Sequence, residues 1–425
     1  MRLAQSLVIR VLLSGVLIQD VLAPACLAKS AIPGAVKVSV VTDEAEAVLA
    51  VLAKKGAGEV ITDEDWRRIF SSEGYTRLKQ RELSMRRSFE DSDFKTFVLS
   101  DQLSAQTQTL AATLEQWRRA DASRAAQRAL AYLPKDATIQ AKIYPVIKPR
   151  QNSFVFDLDT DPAIFLYLDP AVSPAKLENT LAHELHHIGY GTVCPAKKNK
   201  EEIARQPKNK QTVLTYMRAF GEGFAMLAAA GGPSIHPHDV SGVKDRARWD
   251  RDVANFDSDL RKVEKFFLDV LANRLSDQQI GETIAPFYGE QGAWYTVGWR
   301  MSVLIEKELG RSRLVASMCD PRELLLTYNS AAARYNRKSR KPLALWSPTL
   351  IETIGKTRVA ASRGSAHQAY RVALPQVSWA TSGSALPPDV RRWLCPADSS
   401  QIDSGPCPWF GLCPLVIGPK ATPRA

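Results

Sequence analysis

Five consecutive residues, His183-Glu184-Leu185-His186-His187, contain three of the six histidines in this chain of 425 residues. His183, Glu184 and His187 form an H-E-x-x-H pattern. Residues four apart lie on the same face of a helix, so His183 and His187 can bind one metal ion. Glu184 lies about 100° further round the helix, where its carboxylate can reach a metal-bound water without being a ligand. The pattern therefore predicts a catalytic zinc site with Glu184 as general base.

The third protein ligand has to come from elsewhere, because a catalytic zinc ion usually takes three protein ligands and a water. Glu222, in the segment Gly221-Glu222-Gly223, lies on a second predicted helix with apolar surroundings. A carboxylate there needs a cationic partner, and the flanking glycines are expected to let the two helices approach closely. His236 or His238, on the loop after this helix, is the alternative ligand. His186 is expected to face away from the ion.

The elements that must position these residues form an α+β pattern. Ser173-Pro174 is a typical helix start, and Leu181, Leu185 and Ile188 give one apolar stripe that can dock the helix. Runs rich in β-branched and aromatic residues predict a small sheet. The predicted strands are 138–147, 153–157 and 163–168, and the predicted helices around them are 174–189, 212–230, 254–275 and 294–309.

A second group of acids, Asp157, Asp159 and Asp161, has the alternating spacing of a calcium-binding loop. Such a loop needs glycine at its sixth position and glutamate at its twelfth. Pro162 and Leu168 occupy these positions. We therefore expect a solvent-facing strand end and not a calcium site.

The N-terminus is typical of a secretory signal peptide. Arg2 and Arg10 precede the short apolar run 11–18, and Ala23-Pro24-Ala25-Cys26 follows it with small residues of the kind that signal peptidase cuts. Cleavage before Cys26, which would leave a lipid anchor there, is the alternative. We expect an exported protein, periplasmic, extracellular or tethered to the envelope. The tail cysteines are expected to form a bridge within the tail or to pin it to Cys194 or Cys319.

The composition excludes several other classes of protein. With 45% hydrophobic and 24% charged residues, the chain is neither disordered nor a multi-span membrane protein. The net charge of +11 comes with basic clusters that lack interleaved aromatic residues, so a nucleic-acid partner is not expected. The predicted regions are a signal peptide (1–28), a helical N-terminal region (29–135), a domain with the H-E-x-x-H site (136–335) and a C-terminal region with an irregular tail (336–425).

The H-E-x-x-H element with downstream Glu222 resembles the gluzincin group of zinc metallopeptidases. Residues 40–330, including Trp294-Tyr295-x-x-Gly298, look like an uncharacterised bacterial family of zinc-dependent peptidases. The resemblance implies a zincin-like core, one zinc ion, and a peptide substrate lying along an edge strand at 163–168. It also implies that Tyr295 donates a hydrogen bond to the oxyanion. Met226 departs from the pattern, because many gluzincins carry an acid there that orients a histidine ligand.

These observations predict an exported zinc metallopeptidase that hydrolyses peptide bonds. The alternative is an exported binding or scaffold protein that acts at the cell envelope and keeps a vestigial zinc site. Glu184 favours the enzyme, because a metal site that only supports the fold has no need of a general base.

Overall fold

The computed structural model describes residues 35–85, 87–158, 160–194, 201–288 and 292–355. The predicted signal peptide with Cys26 and the tail cysteines lie outside these residues. The described part of the chain is an α+β structure in which helices surround one small mixed sheet. None of its helices combines the length and the apolar character that crossing a membrane requires.

The sheet has the strand order β1-β2-β4-β3. Strands β1 and β4 run parallel to β2, and β3 runs antiparallel to β4. The predicted strands are confirmed, but the expectation that 163–168 is an edge strand is wrong: β4 is hydrogen-bonded on both sides, and β1 and β3 are the edges. The bounds are β1 Val36–Val40, β2 Ile139–Val146, β3 Phe154–Phe156 and β4 Ala163–Tyr167.

Strand β1 changes the predicted division of the chain. It belongs to the region 29–135, which was expected to be helical, yet it pairs along its whole length with β2, from Val36 against Ile139 to Val40 against Ile143. The helical region and the predicted catalytic domain therefore share one sheet. The boundary expected at 135/136 does not separate two folding units among the described residues.

The two faces of the sheet pack against different helices, because successive side chains of a strand point to opposite faces. Tyr144, Val146 and Phe165 form one apolar layer with Leu78. Ile143, Ile164 and Leu166 belong to the main core. The predicted stripe of Leu181, Leu185 and Ile188 is buried in this main core, so it docks the H-E-x-x-H helix as expected.

The helices before and after the sheet have the following bounds. The N-terminal ones are α1 Asp43–Ala57, α2 Asp63–Phe70, α3 Glu73–Ser84, α4 Asp91–Val98, α5 Asp101–Ser104, α6 Thr107–Arg118 and α7 Ala122–Leu130. The later ones are α8 Pro174–Val193, α9 Lys208–Met217, α10 Gly221–Ala230, α11 Val243–Ala254, α12 Phe256–Leu271, α13 Asp277–Tyr288, α14 Ala293–Leu309, α15 Arg311–Ser317, α16 Pro321–Asn336 and α17 Pro348–Ile354. The single helix expected over 212–230 is broken by the 3-10 turn Arg218–Phe220.

A disulfide joins Cys194 to Cys319. Cys194 ends α8, and its backbone N–H still donates to Tyr190 of that helix. Cys319 lies between α15 and α16. The two cysteines are therefore paired with each other, and the expected link from either one to the C-terminal tail is wrong.

The first part of the predicted C-terminal region 336–425, before the expected irregular tail, packs on the core. Trp346, Leu350 and Ile354 are buried in the main core. The indole N–H of Trp346 also contacts the sulfur of Met301 on α14, at 3.3 Å. The core therefore extends to α17, and the remainder of that region lies outside the described residues.

Candidate metal centre

Helix α8 positions the two histidines of the H-E-x-x-H element. The Ser173 side chain caps its first turn by accepting a hydrogen bond from the Lys176 backbone N–H (3.2 Å), and Pro174 occupies the first turn. Near the other end Gly189 lies so close to Leu133 that a Cβ would come within 2.4 Å of its side chain. This close contact fixes α8 against the sheet side of the core. His183 and His187 are left facing another way, towards α10.

Helix α10 carries Glu222 in its first turn. The glycines beside Glu222 were expected to bring α8 and α10 together, but the close approach that the structure shows is between α10 and α14. A Cβ on Gly223 would lie 2.0 Å from the Trp299 backbone nitrogen and 2.4 Å from the Tyr295 carbonyl oxygen, whereas Gly221 has open space. Gly223 therefore lets α14, the helix of Tyr295, approach α10.

Three potential ligand atoms meet between α8 and α10. The Nε2 atoms of His183 and His187 are 3.1 Å apart, and they lie 3.3 and 3.4 Å from Oε2 of Glu222. Zinc–ligand bonds of 2.0–2.1 Å at tetrahedral angles would place such atoms about 3.3–3.4 Å apart. The set of two imidazoles and one carboxylate, and its size, therefore fit a zinc ion.

The charges of this cluster also fit a cation. Burial raises the pKa of Glu184; His183 and His187 act against this effect, and the neighbouring Glu222 adds to it. Burial acts in the same sense on the pKa of Glu222, but His187 and the hydrogen bonds from both imidazoles outweigh it and hold the pKa well below its usual value. The cluster thus keeps a buried carboxylate ionised beside a second one. Such an arrangement is costly without positive charge.

Glu184 has an oxygen that no described residue satisfies. The side chain is buried, and its Oε2 has no hydrogen-bond partner among the described residues. Nδ1 of His183 is likewise buried without one. A buried polar atom in this state needs a ligand or a water. The missing partner of His183 agrees with the sequence, in which Met226 replaces the acid that orients a histidine ligand in many gluzincins. No other described residue orients this imidazole.

Tyr295 reaches the same cluster from α14. Its hydroxyl group lies close enough to the Glu222 carboxylate for the two groups to interact. Burial, followed by the charges of Glu222 and Glu184, raises the pKa of Tyr295 well above its ordinary value. The phenol therefore keeps its proton and is available as a hydrogen-bond donor.

The other sequence candidates lie apart from the three ligand atoms. His186 is buried against Phe224, with ring centroids 5.0 Å apart, and burial lowers its pKa well below the usual value. It is a packing residue, as expected. His236 contacts Asp250 at 3.0 Å, and Nδ1 of His238 lies 3.1 Å from the Ser241 hydroxyl. Neither joins the cluster with His183 and His187.

The aspartates near β3 are partnered by a cation of the chain itself. Arg77 lies 2.8 Å from the Asp161 carboxylate and 3.8 Å from that of Asp157. The expected absence of a calcium site is consistent with this pairing, but the expectation of a plain solvent-facing end missed Arg77, which is buried.

Sequence reasoning also overlooked two residues on the metal side of α8. Lys176 and Asn179 precede His183 by seven and four residues, so they continue its face of the helix towards the N-terminus. The amide of Asn179 donates to the Ala229 carbonyl at 3.1 Å and so holds α10 against α8. The helical period of the H-E-x-x-H segment was the signal that could have identified both.

A comparison with protein families agrees with a zinc site, whereas two other comparisons found no match. No curated protein and no solved structure matches the chain. The sequence model of one family, described as "Putative zinc dependent peptidase (DUF5700)", matches residues 64–337, which is more than half of the 425 residues. The match includes every residue of the cluster between α8, α10 and α14. The chain belongs to this family of zinc-dependent peptidases.

Proposed function

We propose that this protein is an exported metallopeptidase that hydrolyses peptide bonds with one zinc ion, on a zincin-like core of the gluzincin type. One observation carries the proposal. The ligand atoms of His183, His187 and Glu222 form a triangle of zinc-binding size, and the unpartnered carboxylate oxygen of Glu184 is buried beside it.

In this proposal His183, His187 and Glu222 would hold the ion. When bound, zinc would polarise the scissile carbonyl and lower the pKa of a water. Glu184 is the general base: its carboxylate takes a proton from the attacking water and passes it to the nitrogen of the leaving amine. The buried position of Glu184 suits this transfer, because bulk water does not compete for the carboxylate.

Tyr295 is proposed to donate its hydroxyl proton in a hydrogen bond to the oxyanion. The hydroxyl already lies within reach of the cluster through Glu222. A donor of this kind contributes roughly a 100-fold rate factor. Tyr295→Phe should therefore lower kcat by that order and leave the zinc content at one equivalent, and an unchanged kcat would exclude this role.

Export is supported by the pairing of Cys194 with Cys319. Disulfides persist in oxidising compartments and are rare in the cytosol. A free-thiol assay on protein recovered from its native compartment tests this point: titration of both cysteines without prior reduction would contradict export.

The central experiment combines zinc quantification with cleavage of a peptide library. We expect one zinc per chain, cleavage by the zinc-loaded protein, and loss of cleavage in chelator that zinc restores. Bound zinc without any chelator-sensitive cleavage would favour the scaffold alternative. Protein without stoichiometric zinc would contradict the site itself.

A further inference from the structure

A second polar cluster lies beside the metal centre on the same helix. Lys176 precedes His183 by two turns of α8, on the same face, which corresponds to about 10 Å along the helix axis. Its ammonium group donates to the Ser241 hydroxyl at 2.6 Å. Ser241 in turn lies 3.1 Å from Nδ1 of His238. Ser241 and His238 belong to the loop after α10, which supplies no ligand to the metal centre.

The cluster is also tied to the helix that carries Tyr295. The His238 ring packs on Trp249 at 5.1 Å between centroids, and Trp249 packs edge-on against Trp299 at 5.5 Å. Trp299 lies one turn after Tyr295 on α14. The helix of His183 and His187 and the helix of Tyr295 therefore also frame the Lys176 cluster, so the two sites belong to one region of the molecule.

The charge of this cluster is not balanced by a carboxylate. Among the described residues, no carboxylate lies within ion-pairing distance of the Lys176 ammonium group, and the acid that acts on it, Asp245, contacts Arg248 at 3.1 Å. Asp250, the other nearby acid, contacts His236. Cationic and donor groups thus converge where the nearby acids already have basic partners.

The surroundings of the cluster also suit an anion. Burial lowers the pKa of Lys176, and the charge of Asp245 acts against this effect. Burial also lowers the pKa of His238 to about 3, so its imidazole is neutral at physiological pH. Ser241 directly precedes Gly242, the residue that caps α11 without a side-chain hydrogen bond. The N-terminal N–H groups of a helix add to a preference for negative charge.

We propose that Lys176 and Ser241 bind the C-terminal carboxylate of the peptide substrate. The inference rests on the proposed peptidase function and assigns its substrate class: the enzyme removes a short C-terminal peptide. An extended chain spans about 3.4 Å per residue, so the offset of about 10 Å along α8 corresponds to roughly two or three residues between the cleaved bond and the terminus. The bond broken is the peptide C–N bond, and water supplies the hydroxyl group and the proton of the two products.

Peptide binding tests the proposal without depending on turnover. The probe is a fluorescein-labelled octapeptide of alternating alanine and serine, made with a free carboxylate and as the C-terminal amide. Zinc-loaded Glu184→Gln protein is titrated with each, and fluorescence anisotropy gives the Kd. A charge-assisted contact is expected to favour the free acid about 10- to 100-fold.

Variants of the cluster identify the residues responsible. Lys176→Met should abolish the preference for the free acid and leave binding of the amide unchanged, and Ser241→Ala should reduce the preference partly. Lys210→Met is the matched control, because this partly buried lysine donates to the Gly355 carbonyl and lies on α9, outside the cluster. Circular dichroism and zinc content verify that each variant is folded.

Several results would overturn the proposal. These are equal binding of the acid and the amide, no binding of either, or a preference that survives in Lys176→Met. Mass spectrometry of products from wild-type protein adds a second measurement, with di- or tripeptides expected from the free acid. Internal cleavage of both forms at equal rates would refute the C-terminal assignment yet uphold the peptidase function, whereas absence of stoichiometric zinc would instead refute the metal centre.

Discussion

Two pairs of closely placed acids can be compared: Asp157 and Asp161 at the end of the sheet, and Glu184 and Glu222 between the helices. The first pair obtains its positive charge from the chain, because Arg77 reaches both carboxylates. The second pair has two imidazoles beside it and, among the described residues, no lysine or arginine within ion-pairing distance. The comparison teaches that the absence of an internal cation marks a metal centre better than the spacing of the acids.

The carboxyl group of a further buried acid, Glu44, is neutralised in another way. Glu44 on α1 is buried and accepts a hydrogen bond from the Ile147 backbone N–H at 3.0 Å. Burial raises its pKa to about 8, so it holds a proton at neutral pH. Arginine, a proton and, in the proposed site, a metal ion are thus three ways to neutralise a carboxylate in one chain.

Glu184→Gln should have the largest effect in the comparison of the two acid pairs. The amide keeps the shape of the side chain but cannot take a proton, so kcat should fall by roughly 10²- to 10⁴-fold while one zinc per chain is retained. Steady-state kinetics and metal analysis on the same sample measure both. Turnover at the wild-type rate would remove Glu184 from the mechanism.

The second test compares the two acid pairs directly. His187→Ala removes one of the three proposed ligands and should weaken zinc binding by more than about 100-fold, since even residues that only orient a ligand contribute 10- to 100-fold. Asp161→Ala, in the pair neutralised by Arg77, should leave zinc affinity unchanged. Competition with a chromogenic chelator measures both affinities. If His187→Ala retained full zinc binding, or both variants lost it equally, the contrast would be wrong.

The parts of the metal centre that depend on local sequence could be predicted. The four-residue spacing of His183 and His187 is a property of one helix, and the apolar surroundings of Glu222 followed from its own segment. Arg77 was missed because its partner Asp161 is 84 residues away. Nothing in the local pattern around either residue indicates that contact.

The sheet was predictable in the same limited sense. The composition of β2, β3 and β4 identified them as strands, but their order depends on contacts between distant segments. Strand β1 is only five residues long, and its partner β2 begins about one hundred residues later, so the helical pattern around β1 concealed it. The same reason explains the wrong choice of β4 as the edge.

The pH dependence of the free energy of unfolding tests whether Glu44 is neutralised by a bound proton. Its folded-state pKa of about 8 lies above the ordinary 4.5, so the folded protein binds a proton that the unfolded chain releases above pH 4.5. Stability is therefore lost as the pH rises from 4.5 to 8. One pKa unit corresponds to about 1.4 kcal/mol, so Glu44→Gln should raise the free energy of unfolding by about 4 kcal/mol at pH 8 and little at pH 4.5.

Urea denaturation at the two pH values measures this effect. Glu59→Gln, at an exposed position just after α1, is the matched control and should change neither value. A Glu44→Gln variant that is equally destabilised at both pH values would mean that the carboxyl group is needed for its hydrogen bond and is not a buried acid kept neutral by a proton.

The smallest effect is expected where the chain supplies its own cation. Arg77→Met leaves Asp157 and Asp161 without their shared guanidinium group and removes a contact of 3.1 Å to the Tyr144 hydroxyl. Breaking a buried pair costs about 3–5 kcal/mol, but Asp161 is half exposed, so we expect a loss of about 2 kcal/mol in the free energy of unfolding. Arg67→Met, in the exposed pair with Glu64, should cost less than about 0.5 kcal/mol. Equal losses in the two variants would show that Arg77 is an ordinary surface partner, and the contrast between the two acid pairs would then rest on the metal centre alone.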